Sequence, residues 1–301
     1  MMNPKIKKAL QDPYYACSLL LNRVGRFVSD ENFVKWTYYL TFRKKLDLDN
    51  PKTFNEKLQW LKLNDRHEEY TQMVDKYEAK KYVANLIGEE YIIPTLGVYD
   101  SFDEIDFDKL PNQFVLKCTH NSGGIIICRD KASLDVPKAR KQMTKWLKKN
   151  PFWTNREYPY KNVKPRIIAE QYMTNDGLSQ ELTDYKFFCF DGNADCVMVC
   201  LERHLNDTKF YFFDKDWNFL RLNIRGIEAP DNFTIPKPKT MDKMFEIASK
   251  LSQGMKYVRI DLYEIRNRVY FGEYTFFPDS GLDKNILKET DIKFGKSLKI
   301  F

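Results

Sequence analysis

The sequence predicts an α+β chain with largely antiparallel strands in its second half. Three observations carry that expectation: helical periodicity through the first fifty residues, a helix-start signal at Thr53, and, from Pro111 onward, short apolar runs separated by turn residues. No internal repeat, low-complexity tract or clean linker interrupts the 301 residues.

The opening stretch "YYACSLLLNRVGRFVSDENFVKWTYYLTFRKKL" mixes aromatic and basic residues with the periodicity of two or three short helices. Such helices suit a layer packed on the main domain, or a membrane surface or partner. In "NPKTFNEKLQWLKLND" a turn at Pro51 leads to an N-cap at Thr53, with Glu56 in capping-box position. "DKYEAKKYVANLIGEEYIIP" predicts a second helix ending near Gly88 and a short strand that stops before Pro94. Strands follow in "QFVLKCTH" and "GGIIICRD", then a helix through "VPKARKQMTKWLKKN" and a buried strand in "RIIAEQYM". "DYKFFCFDGNADCVMVCLER" predicts a hairpin turning at Asp191-Gly192. After "KFYFFDKDWNFLRL" come a proline-containing loop, a helix around "MDKMFEIASKLSQG" and a last hairpin, "YVRIDLYEIRNRVYFGEYTFFP", turning near Arg266-Asn267-Arg268.

Lys plus Arg total 49 and Asp plus Glu 42, a formal charge of +7 on a chain that is 43% hydrophobic and 15% aromatic. This describes a globular protein with a sizeable core, and its modest positive surplus suits a nucleotide, an anionic sugar or an acidic membrane equally. Six cysteines without a C-x-x-C pair read as reduced, buried thiols. No secretory leader and no apolar run of about 20 residues is evident, so a cytoplasmic location is expected, with membrane-peripheral attachment through the first helices as an option. Nucleic-acid binding is not expected, because no basic run is long or regular and no zinc spacing occurs. The histidines His67, His120 and His204 are too scattered for H-E-x-x-H chemistry.

Two constellations carry chemistry. In "LKCTHNSGGIIICRD" paired glycines follow Lys117, an arrangement that lets backbone N–H groups approach an anion while the lysine reaches the same phosphate. A plain hairpin turn explains the same letters and is the better reading of that segment alone. In the last hairpin Asp261 and Glu273 lie on adjacent predicted strands amid apolar and aromatic neighbours, where an unpaired carboxylate is expensive. Paired hard carboxylates suit Mg²⁺, which completes its shell with phosphate oxygens and water. Cross-strand pairing with a basic residue is the competing explanation. Neither a P-loop, a dinucleotide glycine fingerprint nor a protein-kinase motif set is present.

Taken in order, these elements resemble the ATP-grasp superfamily. "DKYEAKKYVANLIGEEYIIP" is similar to its entry segment, "FVLKC" with "HNSGG" to its phosphate lysine and glycine-rich lid, and "IIAEQYM" to its adenine hinge. "DYKFFCFDG" is similar to its Asp-x-basic strand and "IDLYEIRNRVYFGEYT" to its metal hairpin. Through "PKTFNEKLQWLKL", "LPNQFVLKCTHNSGG" and the "FGEYTFFPDSG" ending, the chain further resembles the TupA-like branch, associated with bacterial cell-surface polysaccharide and teichuronopeptide biosynthesis. Two departures stand out. The usual third metal position is Asn where this chain has Thr275, and no strand-rich α/β domain precedes Asp75.

The resemblance implies an ATP-grasp fold in which two α+β subdomains clamp ATP. Its segments would be a helical N-terminal extension (1–50), a helix and strand segment ahead of the grasp (51–112), a lid subdomain (113–173) and a C-terminal subdomain with the metal site (174–301). It implies ATP and Mg²⁺ as cofactors. Lys76 and Lys117 would hold phosphate, and Ser122, Gly123 and Gly124 would fold over the triphosphate. Glu170, Gln171, Tyr172 and Met173 would line the adenine slot, and Asp184 would accept from ribose. Lys186 and Arg203 would face the transferred phosphoryl group, and Asp261, Glu273 and Thr275 would ligate metal. The implied reaction phosphorylates a carboxylate, and an amine then attacks the acyl phosphate to give an amide. The partners would be a carboxylate-bearing small molecule or glycan, an amine donor, and a peripheral membrane or polysaccharide-assembly partner at the N-terminal helices. The alternatives are a nucleotide-binding scaffold without chemistry, at which Thr275 hints, a sugar phosphotransferase and a glycosyltransferase. For the last the Asp-x-Asp pairs Asp47/Asp49, Asp106/Asp108 and Asp214/Asp216 are the candidates, all in polar, turn-like contexts.

Overall fold

A computed structural model describes residues 10–174, 182–201 and 208–301. The first two helices, α1 (Pro13–Val24) and α2 (Asp30–Phe42), form a hairpin. Asp12 caps α1 by accepting from the Tyr14 and Tyr15 N–H groups, and Ser29 caps α2 ahead of the acidic first turn Asp30-Glu31. The helix α3 (Phe54–Asn64) starts with the expected capping box between Thr53 and Glu56. It is followed by α4 (Glu69–Val74) and α5 (Glu78–Ile87), which Gly88 closes with φ +117°.

The strand expected before Pro94 is absent. Residues Glu89–Tyr91 make a 3-10 turn, and the strand β1 (Thr95–Tyr99) begins only after the proline. The run "YIIP" has strand-like side chains, but the carbonyl of Ile93 is taken by the Lys80 ammonium at 2.7 Å.

β2 (Phe114–Cys118) and β3 (Ile125–Cys128) flank the glycine loop and precede α6 (Val136–Leu147), the single turn α7 (Phe152–Asn155) and β4 (Ile167–Gln171). They form an antiparallel sheet of order β1-β4-β2-β3. Phe114, Leu116 and Cys118 of β2 are buried on one face, while Val115 and Lys117 are half-buried on the other, as a period of two requires. The buried face packs on Ala139 and Met143 of α6.

The second sheet contains β5 (Asp184–Phe190), β6 (Asn193–Leu201), β7 (Lys209–Phe213), β8 (Phe219–Leu220), β9 (Tyr257–Ile265) and β10 (Arg268–Thr275) in the order β10-β9-β5-β6-β7-β8. Asp191-Gly192 turns β5 into β6 with φ of 50° and 76°, and Arg266-Asn267 turns β9 into β10 with φ of 52° and 59°. Both are two-residue turns of the kind that matches strand twist. The short helix α8 (Ile224–Glu228) and α9 (Met241–Leu251) lie between β8 and β9, and α10 (Lys288–Ser297) ends the fold. One face of this sheet, with Phe187, Val197 and Ile260, forms the main core with Phe245 and Ala248 of α9. The opposite face is covered at one end by an aromatic cluster of Phe54, Phe188, Tyr257 and Phe294. Its other end carries polar side chains.

Contact between α3 and the C-terminal segment is extensive. Asn55 bonds Asp283 and Asp291, Lys57 donates to the Gly295 and Leu298 carbonyls, and Gln59 and Lys62 donate to the carbonyls of Gly281 and Ser280. Five cysteines are buried as expected; Cys17, on the outer side of α1, is exposed and departs from that expectation.

Candidate active site

A register shift assembles the polar end of the second sheet. Across the two-residue turn, Ile265 pairs with Arg268 and Leu262 with Phe271. Continued unchanged, that register would place Glu273 opposite Ile260, facing the core. Gly272 is instead an extra, bulged residue, and beyond it Glu273 pairs with Asp261 and Thr275 with Arg259. On the other side of β9, Lys186 pairs with Asp261 and Asp184 with Tyr263. Directly opposed residues share a face, so Asp184, Lys186, Arg259, Asp261, Glu273 and Thr275 all project on one side. A Cβ at Gly272 would meet the Asp261 carbonyl oxygen at 2.9 Å.

Three carboxylates there meet three cations. Arg259 grips Asp261 with both ends of its fork, Nε to Oδ1 at 2.7 Å and Nη2 to Oδ2 at 2.8 Å. Lys186 Nζ lies 2.5 Å from Asp261 Oδ2 and 3.4 Å from Asp184 Oδ2. Lys76 Nζ reaches Glu273 Oε2 at 3.4 Å, and Arg259 Nη2 donates to Thr275 Oγ1 at 3.1 Å. Burial alone would raise the Glu273 carboxyl, but Lys76, Lys186 and Arg259 outweigh it and hold the group at about 2. Burial disfavours the Arg259 charge, yet Asp261 more than compensates, and the guanidinium stays firmly protonated. A cavity of about 270 Å³ opens beside Lys186 and Arg259, with Asp279 and Asp283 on its wall. Burial, with Asp279 nearby, pushes the Asp283 carboxyl up to about 6.

The first sheet contributes a second group. Lys117 Nζ sits 2.5 Å from one oxygen of Glu170, and Lys80 Nζ pairs with the other. Burial works to raise Glu170, but Lys117 and Lys80 pull it down to about 2. A cavity of about 330 Å³ lies over Lys117 and Glu170, walled by Ile93, Val115 and Ile127 and, from the second sheet, Tyr263. Gln171, Tyr172 and Met173 line it as well. The cavity is of ligand size and combines apolar walls with a charged floor.

The structure thus brings the expected residues together in groups. Lys117, Glu170, Gln171, Tyr172 and Met173 share one cavity; Asp184, Lys186, Asp261, Glu273 and Thr275 share one sheet face, which Lys76 reaches from the segment between α4 and α5. Glu170 occupies its place with its carboxylate engaged by two lysines rather than through backbone and apolar contact alone. Ser122, Gly123 and Gly124 line a different cavity, of about 540 Å³. Their loop is anchored by the Asn121 side chain, which accepts from the Gly124 N–H at 2.9 Å. It is tied to Lys76 through the Thr119 carbonyl, which accepts from the Lys76 N–H at 3.0 Å. Arg203 lies outside the described residues.

His120 is buried, its ring Nε2 2.9 Å from the Lys149 carbonyl, and so ties the loop to the end of α6. The Asp-x-Asp pairs are turn devices: Asp47, Asp106 and Asp214 accept from the backbone N–H groups of Asp49, Asp108 and Asn218. Lys80, Arg259 and Tyr263 are the residues that sequence reasoning missed. Arg259 carried a signal, since a residue two before Asp261 on one strand must share its face.

The family model described as TupA-like ATPgrasp matches residues 56–299. No curated protein matches the chain. Among solved structures, the chain is similar to D-alanine–D-alanine ligase from Helicobacter pylori at 15% identity, over 83% of this chain and 70% of that one, with a TM-score of 0.42. It is similar to N5-carboxyaminoimidazole synthetase from Staphylococcus aureus complexed with ADP at 12% identity, over 72% and 50% of the two chains, with a TM-score of 0.43. It is also similar to the ATP-grasp ligase PsnB complexed with minimal precursor, at 8% identity over 69% and 54%, with a TM-score of 0.37. The chain spans about half the length of the last two. With its motifs in order and the family match running from α3 to the end of α10, the chain belongs to the TupA-like ATPgrasp family.

Proposed function

We propose that the chain is an ATP- and Mg²⁺-dependent carboxylate–amine ligase, working through an acyl phosphate on an acceptor of bacterial cell-surface polysaccharide such as capsule or teichuronopeptide. The observation that carries this reading is the bulged hairpin, which sets Asp261 and Glu273 side by side amid Lys76, Lys186 and Arg259.

The donor set fits magnesium. Among the described residues no group of three His, Cys, Asp or Glu side chains could hold a metal ion. Magnesium commonly takes only one or two carboxylates and completes its shell with phosphate oxygens and water, so Asp261 and Glu273, with Thr275 as a weak third donor, suffice when a nucleotide is present. When bound, the ion supplies positive charge against the oxygens of the transferring phosphoryl group. The chain's own residues do the rest. Lys76 and Lys186 exchange their carboxylate partners for phosphate oxygens, and Lys117, oriented by Glu170, takes a third contact. Tyr172, Met173 and Tyr263 enclose the base, Asp184 accepts from ribose, and the Ser122–Gly124 loop excludes water that would hydrolyse the acyl phosphate. The acceptor carboxylate and the amine would meet beside Lys186 and Arg259.

ATP as co-substrate suits the cytoplasmic side of the membrane, with the N-terminal helices as its peripheral contact. Among the described residues no helix is long and apolar enough to cross a membrane, and Phe27, between α1 and α2, is 92% exposed.

Calorimetric titration of ATP with and without Mg²⁺, on the native chain and on Asp261→Ala, tests the reading. Magnesium is expected to tighten binding about tenfold or more, and the substitution to remove most of that gain. Equal affinity in all four titrations would overturn it. Release of free phosphate with ADP separates a ligase from a phosphotransferase, which leaves a stable phosphoester. Retention on immobilised UDP-sugar but not ATP would favour a glycosyltransferase.

A further inference from the structure

The cavity of about 540 Å³ behind the glycine loop belongs to neither the nucleotide slot nor the metal face, and its wall is unusually one-sided in charge. Arg23 and Arg26 enter it from the end of α1 and the turn that follows, and Lys148 and Lys149 from the end of α6. Among the described residues no Asp or Glu lines it, and no carboxylate is ion-paired with any of the four. Asp30, the acidic group at the start of α2, is already held by Arg66 and Arg156, each at 2.8 Å. Cations at a helix C-terminus offset its dipole, which accounts for Arg23 at the end of α1 and Lys148 at the end of α6 taken singly, but not for the convergence of both helix ends, with Arg26 and Lys149, on one concave wall.

The walls are braced. Arg156, fully buried, donates to the Gly25, Val28 and Trp153 carbonyls, and so fixes the helical hairpin against α7. His120 joins the glycine loop to Lys149 on the other side. Two half-buried indoles, Trp146 and Trp153, complete the wall, and the Arg26 guanidinium stands 5.8 Å from the Trp153 ring centroid. Ser122 and Gly123 present the exposed edge of the loop, and a Cβ at Gly123 would meet nothing within 4 Å.

Four cations without counter-ions, concentrated in a concave site, raise the local concentration of anions. Arginine forks match carboxylate and phosphate groups, and indole faces stack against the apolar faces of sugar rings. We infer that this cavity is a binding site for an acidic saccharide of several residues, carrying carboxylate or phosphate groups. The cavity volume exceeds what a single inorganic anion fills, and the two indoles on its wall suit sugar rings. As the place of the acceptor glycan the assignment rests on the ligase reading; as a binding site it stands on the cavity alone. The loop that the ligase reading folds over the triphosphate also walls this cavity.

The test is direct binding by the full chain without nucleotide. The probes are hexagalacturonate, a phosphorylated maltohexaose, neutral maltohexaose and polyglutamate. Either acidic hexasaccharide should bind measurably more tightly than the neutral one, and the tighter of the two identifies the anionic group. The double substitution Arg26→Ser with Lys149→Ser should weaken that binding about tenfold, as should Trp153→Ala. Arg23→Ser with Lys148→Ser, which like the first pair are exposed, provides a second pair should the first be unstable. Binding of neither acidic saccharide, equal binding of the neutral one, tighter binding of polyglutamate, or indifference to both double substitutions would overturn the proposal. Mg²⁺-ADP affinity measured on the same samples reports on the ligase reading separately, since its absence from the unaltered chain would count against that reading and not against saccharide binding.

Discussion

Glu170 is 4% exposed and carries a full charge between Lys80 and Lys117. Its folded pKa of about 2 lies below the ordinary value of 4.5, so its contribution to stability is complete above pH 4.5 and is lost as pH falls toward 2. Glu273 follows the same sign, though its side chain is 34% exposed and solvent weakens its share. Glu170→Gln should therefore cost about 3 kcal/mol at neutral pH, because it strands two partly buried lysines, and should flatten the acid limb of the stability curve. Urea melts at pH 7 and pH 3 check this: a variant whose deficit is as large at pH 3 as at pH 7 would count against the pairing. The carboxylate itself was legible in the sequence, but its partner was not. Lys76, Lys80 and Lys81 crowd one short motif, and only packing separates Lys80, whose side chain is 12% exposed, from Lys81 at 55%.

At the level of elements, Gly272 and Gly295 make opposite uses of a missing side chain. In α10 a Cβ at Gly295 would collide with the Lys52 carbonyl oxygen and come within 2.8 Å of the Thr53 Cα, so helix and α3 entrance touch backbone to backbone. Alanine is about 1 kcal/mol better than glycine within a helix. Gly295→Ala should nevertheless destabilise by about 2 kcal/mol, with nucleotide affinity retained. Gly272→Ala strains the bulge itself and should weaken magnesium-dependent nucleotide binding beyond what its loss of stability explains. Thermal melts paired with titrations separate the two, and identical profiles would refute the distinction.

The bulge also marks the limit of what could be read from letters. Asp261 and Glu273 are twelve residues apart. Across a regular two-residue turn that separation puts them on opposite faces, and only the extra residue at Gly272 brings them together. The hairpins at Asp191-Gly192 and Arg266-Asn267 and the Thr53 cap were legible because their chemistry is local. The loss of the strand before Pro94 was not, because the Ile93 carbonyl is taken by Lys80 from another element.

For the molecule as a whole, Arg156 is the buried fastening between the helical hairpin and the body, beside the half-buried pair of Arg66 with Asp30 and the apolar contact of Val34 and Tyr38 with Leu63 and Leu282. Arg156→Met should raise amide exchange across 13–42 by an amount corresponding to about 3 kcal/mol of local stability, while exchange in β5 and β9 stays unchanged. Uniform acceleration throughout the chain would show that the hairpin does not open as a separate unit.

The bonds from α3 to the far segment have a temporal meaning too. Lys62 meets Ser280 across 218 residues, and Asn55 meets Asp291 across 236. A helix translated early must wait, its apolar stripe uncovered, until almost everything downstream has left the ribosome. Such distant closure is slow. The nascent polypeptide therefore passes through a long interval in which Phe54 and Leu58 lack their partners, and chaperone demand should concentrate there.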